Sequence, residues 1–185
     1  VVVIVWSIGD DRDTVIEGFT IQNGSPNSSS QDTRNGAGIF VNSASPTIRN
    51  NIIINNLGCQ GYGLLLHFSS ALVENNVISD NHQSTSCSGG AGGGGLLVRG
   101  AGSAELIGNV ISNNTTGSFG GGISLFSAQS ALVMDNLIVG NIADEGGGGI
   151  SIVNDSTGMV VAQNVITHNT AKNGGGIYYQ RGDPL

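Results

Sequence analysis

Lysine is nearly missing from this sequence. Lys172 is the single one in 185 residues, and charged side chains make up only 10% of the chain, well below the roughly one quarter of an ordinary soluble domain. With a net charge of −7 and no cluster of Lys and Arg, the chain lacks the basic surface that nucleic acid or an anionic membrane requires. A helical period is absent throughout, so no helix is expected. No apolar run is long enough to cross a bilayer. The opening VVVIVW has neither a basic flank nor a small-residue cleavage site, and it reads as a strand. Three scattered histidines give no zinc-ligand spacing.

What is abundant is glycine, with 31 residues, and it is placed periodically. GAGIFV (36–41), GYGLLL (61–66), GGGLLV (93–98), GGGISL (120–125), GGGISI (147–152) and GGGIYY (174–179) share one shape. The apolar residue after each run falls at Ile39, Leu64, Leu96, Ile123, Ile150 and Ile177, in steps of 25, 32, 27, 27 and 27 residues. Downstream of them run two asparagine columns. The first is Asn51, Asn76, Asn109, Asn136 and Asn164; the second is Asn56, Asn81, Asn114, Asn141 and Asn169, joined by Asn23 in EGFTIQN. An isoleucine lies between the columns in each unit: Ile53, Ile78, Ile111, Ile138, Ile166.

Short alternating segments such as Ile39-Phe40-Val41 suit strands with one face inward. Units too short for helical crossovers pair equivalent strands in parallel only by winding about one axis. The expected fold is therefore all-β, a single-stranded right-handed parallel β-helix of about six to seven coils, forming one domain over 1–185. With repeat-like segments at both ends and no capping helix, it is expected to be a piece of a longer chain or a processed form. Gly36, Gly61, Gly93, Gly120, Gly147, Gly174 and their partners two places on are expected at coil corners, where positive φ or close backbone approach favours glycine. The asparagines are expected at other corners, as a ladder of amides bonded from coil to coil. Ile39/Val41 and their equivalents, through Ile177/Tyr179, should point inward.

VIEGFTIQNG, followed by GAGIFVNSASPTIRNNIIINN and repeated GGGI, closely resembles the right-handed parallel β-helix repeat proteins of bacteria, the pectate-lyase-like superfamily in its loosest sense. The repeats are also similar to those of polymorphic outer membrane proteins. The resemblance implies export, an extracellular or cell-surface location, and contact with polysaccharide or surface proteins. It spans lyases, hydrolases, epimerases, adhesins and surface proteins, so function must come from the site.

Enzymes of this fold generally combine calcium-binding acidic residues with a basic catalytic residue, or use clustered carboxylates. The acidic residues Glu74, Glu105, Asp135, Asp144, Glu145 and Asp155 fall in different columns or loops and form no evident pair. One outward column reads Asn42, His67, Arg99, Phe126, Val153, Gln180 and makes His67 and Arg99 the catalytic candidates, without an acid or metal beside them. The neighbouring outward column reads Phe40, Leu65, Leu97, Ser124, Ser151, Tyr178. It suits either an exposed contact stripe or a surface covered by a loop. The binding face drawn from both columns comprises Phe40, Leu65, His67, Leu97, Arg99, Phe126 and Tyr178. GDDRD (9–13) carries enough oxygen for calcium but lacks EF-hand spacing, and a plain turn is the simpler reading. Cys59 and Cys87 lie on the insertion edge of consecutive coils, where a disulfide or two free thiols would fit. The leading functional expectation is a non-catalytic exported surface or fibre module for adhesion, carbohydrate contact or self-association. The alternative is a lyase, epimerase or glycoside hydrolase acting on an acidic polysaccharide.

Overall fold

The computed structural model describes residues 3–6, 11–25, 36–85, 87, 92–154 and 156–181. Every ladder of strands within it is parallel, and the register is regular except for a bulge between Ala143 and Gly146 against Thr170–Asn173. One turn consists of four short strands, for example Ile39–Asn42, Thr47–Arg49, Ile52–Ile54 and Leu57–Gly58. Equivalent strands stack into four sheets, here called A to D in that order, of seven, six, six and five strands. The expected six to seven coils resolve into five complete turns, at 39–58, 64–83, 96–116, 123–146 and 150–173, with a partial turn on either side.

The stacking puts like side chains in files. Ile39, Leu64, Leu96, Ile123 and Ile150 are each fully buried, as are Ile48, Val73, Leu106 and Val133, and Ile53, Ile78, Ile111 and Ile138. These files form one continuous apolar core. Each such side chain contributes about 1.5–3 kcal/mol over its exposed state. The exception is the last turn, where Ile177 and Tyr179, expected inward, are 48% and 63% exposed because no further turn of the described chain covers them.

Four corners join the four sheets, and each carries a file of left-handed residues. Gly36, Gly61, Gly93, Gly120, Gly147 and Gly174 have φ between 53° and 76°. The glycines two places on serve the other purpose. A methyl group at Gly63 would lie 2.5 Å from the carbonyl oxygen of Gly95 and 2.9 Å from Asn81 Nδ2, so that file is held to glycine by close approach.

The asparagine corners differ from expectation in one respect. The left-handed residue is the one before each ladder asparagine: Asn50, Asn75, Gly108, Asp135 and Gln163 in one file, and Asn23, Asn55, Asp80, Asn113, Gly140 and His168 in the other. Asn23 therefore does not belong to the ladder, since Gln22 pairs with Ile54 and the next residue falls opposite Asn55. Gly24 occupies the ladder position and donates its N–H to Asn56 Oδ1 at 2.9 Å.

The ladder itself is continuous from Asn56 to Asn169. In each step the backbone N–H and the side-chain Nδ2 of one asparagine both donate to Oδ1 of the next, as in Asn81 to Asn114 at 3.0 and 2.9 Å. The other amide hydrogen donates back to the previous turn, from Asn81 Nδ2 to Ile53 O at 3.0 Å. The first asparagine column repeats the pattern from Asn51 to Asn164. Asn56, Asn81, Asn114 and Asn141 are completely buried, so these amides are structural and every bond matters.

Replacing Asn114 with alanine removes the acceptor of two buried donors on Asn81. At about 1–3 kcal/mol per orphaned group, the Asn114→Ala variant should lose at least about 2 kcal/mol in urea unfolding. Asn113→Gly, at the exposed left-handed position beside it, should be close to neutral.

Candidate functional site

The outer face of sheet A aligns one of the two columns from which the sequence draws a binding face and withdraws much of the other. Register pairing aligns Asn42, His67, Arg99, Phe126 and Val153 on successive strands. Within this file Asn42 meets His67 and Arg99 lies over Phe126. His67 Nδ1 lies 2.9 Å from Asn42 Oδ1; with Nδ1 donating to that oxygen, neutral His67 presents Nε2 as an acceptor. Arg99 Nη1 donates to Gln60 Oε1 at 2.9 Å, and the guanidinium carbon lies 5.5 Å from the centre of the Phe126 ring. Burial, and secondarily the charge of Arg99, hold the His67 imidazole below the ordinary histidine range.

The neighbouring file is not an exposed stripe. Leu65 and Leu97 are 2% and 0% exposed and pack with Phe40 and Phe126 into a small second cluster. The reason lies in the glycine corner, whose backbone folds over this file. A methyl at Gly93 would stand 2.7 Å from Leu97 Cβ, and one at Gly147 would stand 2.8 Å from Ser151 Cβ. Leu65 and Leu97 are thus withdrawn from the binding face. Tyr178 sits three strands beyond Leu97, where it stacks on Phe119 at 5.6 Å.

Phe68 is a residue that the column reading missed. It occupies the corner file Ser43, Phe68, Gly100, Ser127, Asn154, all at positive φ, and it alone there is large, at φ 49°. An aromatic residue in the left-handed region is an outlier that costs of order 1–3 kcal/mol. Its ring is 53% exposed, lies 4.3 Å from the His67 ring and covers Gly100, where a methyl would meet it at 2.7 Å. Lining up the turn columns would have revealed it, since every other member is Gly, Ser or Asn.

The remaining charged residues are accounted for differently. Arg49 bridges Glu17 at 3.0 Å and Glu74 at 4.0 Å, and Arg12 meets Glu105 at 2.6 Å, all on the partly exposed face of sheet B. A hydrogen bond from Asn50, followed by one from Arg49, holds the Glu17 carboxyl below its ordinary range. Among the described residues no group of three or more His, Cys, Asp or Glu converges to hold a metal. Of the proposed calcium segment, Gly9 and Asp10 lie outside the described residues. Asp11 Oδ1 accepts from Asp13 N at 3.0 Å, an arrangement that fits a turn.

On the insertion edge Cys59 and Cys87 form a disulfide, with Cα atoms 5.4 Å apart. Next to it Tyr62 is buried, its hydroxyl 3.0 Å from that of Thr116. Burial pushes the phenol up to about 12. Much of the two long insertions, 26–35 and 88–91, lies outside the described residues.

A family model described as a right handed beta helix region matches residues 5–184. No curated protein and no solved structure matches the chain.

Two outcomes follow. Phe68→Asn should stabilise the fold by about 1 kcal/mol in chemical denaturation, because asparagine tolerates the left-handed conformation, whereas a loss of stability would show that the packing of the ring on Gly100 outweighs the strain. His67 should titrate below a model histidine in NMR. Its folded-state value is depressed, so the stability linked to the neutral ring is present above the unfolded-state value near 6.5 and is lost as pH falls through the folded one. The His67→Gln variant should remove that acid sensitivity.

Proposed function

The chain belongs to the right-handed β-helix family, which includes both pectate-lyase-like enzymes and surface proteins, and we propose that this member is a non-catalytic, exported contact module. Its working surface is the outer face of sheet A around His67, Phe68, Arg99 and Phe126. The observation that carries this reading is the identity of the partners. Arg99 is held by the amide of Gln60 and His67 by the amide of Asn42. Amides orient a side chain and exchange no proton with it, whereas acid–base catalysis needs groups matched in pKa and within reach of each other. Planar polar side chains beside the exposed Phe68 ring and the half-buried Phe126 ring suit recognition of a hydroxyl-rich or surface ligand, with orientation fixed by a few convergent polar groups.

Location outside the cell is part of the proposal, supported by the Cys59–Cys87 disulfide, since such bonds persist in oxidising compartments. The partner class is a polysaccharide or a surface protein. Self-association of copies end to end is a weaker reading.

The test is incubation with pectate, alginate and neutral glucans, followed for retention and for new unsaturated or reducing ends. Retention without new ends, lost in a Phe68→Asn, Arg99→Ala double variant, is the expected result. Product formation that disappears in His67→Ala or Arg99→Ala would overturn the reading in favour of an enzyme.

A further inference from the structure

Arg12, Arg49 and Arg99 are treated in two ways. Arg12 and Arg49 are matched by carboxylates within 4.0 Å. Arg99 meets no carboxylate among the described residues. Its side-chain hydrogen bond runs to a neutral oxygen, Gln60 Oε1 at 2.9 Å, and its other support is the Phe126 ring at 5.5 Å.

The distinction has a chemical meaning. A carboxylate partner fixes a guanidinium and also cancels its charge. An amide oxygen and an aromatic face fix it and leave the charge intact, with the remaining N–H groups of the fork available for a second acceptor. Guanidinium is matched in geometry to two-oxygen anions. The surroundings extend the arrangement along the same face. His67 stands on the adjacent strand, opposite Arg99, with Nε2 as its free ring nitrogen, and the exposed Phe68 ring packs against Gly100 next to Arg99.

The orienting amide is itself held. Gln60 follows Cys59, which is 4% exposed and bonded to Cys87. Its backbone carbonyl accepts from Gly36 N at 3.0 Å. The side chain reaching Arg99 therefore starts from a fixed point, one turn below the residue it supports.

We infer that Arg99 is an oxyanion site, taking one carboxylate or sulfate group of a ligand lying along sheet A, with Gln60 as the positioning residue. The inference rests on the reading of this face as a contact surface and adds to it the chemistry of the ligand. The groups acting on His67 are few: Arg99 is the charged one, while Asn42 and Phe68 are neutral. Acidification that protonates His67 places a second cation beside the first, and anion affinity should rise as it does.

The test uses the whole protein with isotopically labelled arginine, followed by NMR during titration with sodium sulfate, glucuronate and glucose, each against sodium chloride at equal ionic strength. Sulfate and glucuronate should shift the Arg99 side-chain signal saturably and leave Arg12 and Arg49 in place. Gln60→Glu should unfold at the same denaturant concentration, bind sulfate about tenfold more weakly because its carboxylate neutralises the fork, and move the His67 titration upward. Gln60→Met, which keeps the charge and removes the acceptor, should bind more weakly than wild type with His67 little changed. Equal movement of the Arg12, Arg49 and Arg99 signals would reduce the effect to screening and overturn the inference. A response of sheet A to glucose with none of Arg99 to either anion would overturn it too, while the contact reading stood. Failure of the polymer-retention test, by contrast, would remove the contact reading itself.

Discussion

The structure depends on how buried amide hydrogens are satisfied where strands end. This β-helix interrupts its backbone ladder at the two asparagine corners, where a backbone N–H finds no carbonyl in the next turn, and a buried N–H without an acceptor costs about 1–3 kcal/mol. Asparagine resolves this in two files at once. One side-chain oxygen accepts both the backbone and side-chain donors of the asparagine below it, and the remaining hydrogen returns to a carbonyl of the preceding turn. The bonds are exchanged among identical residues, so the register of one turn fixes the register of the next. A slip by one residue would place a ladder asparagine at the solvent-facing left-handed position and a core isoleucine outside.

Corners follow from the same geometry. Sharp bends between sheets need left-handed residues, and the chain supplies Gly, Asn, Asp or Ser at most of them. Where the backbone of the glycine corner folds onto sheet A, it buries the adjacent file and leaves the next one, with His67 and Arg99, as the accessible face. This face is thus a by-product of corner construction, decorated by Phe68, a bulky corner residue that does not suit its conformation.

Most of the architecture was legible in the sequence because each structural requirement recurs every turn. The Gly93 and Gly95 columns, the Asn81 to Asn141 ladder, the inward Ile39 and Val41 files and the Cys59–Cys87 edge each repeat or align with a neighbour. Asn23 was misassigned by one place because the turn there reads Asn-Gly, with the ladder position filled by glycine. Burial of Leu65 and Leu97 was not legible, since strand alternation assigns a side chain to the outside without revealing that a corner closes over it. Gln60 lay hidden for a related reason, since sequence columns align a residue with its equivalents and Gln60 acts diagonally, on an arginine 39 positions away. Phe68, by contrast, stands in the same column as the Gly100 it covers and is visible there as the single phenylalanine among Gly, Ser and Asn.

Amide hydrogen exchange of the asparagine side chains tests the central claim most directly. If the ladder holds the solenoid together, the Nδ2 hydrogens of Asn81, Asn114 and Asn141 will exchange only through global unfolding, with protection equal to that of the core strand amides. Exchange of these groups at the rate of the exposed Asn55 or Asn113 amides, while the strands remain protected, would contradict the account.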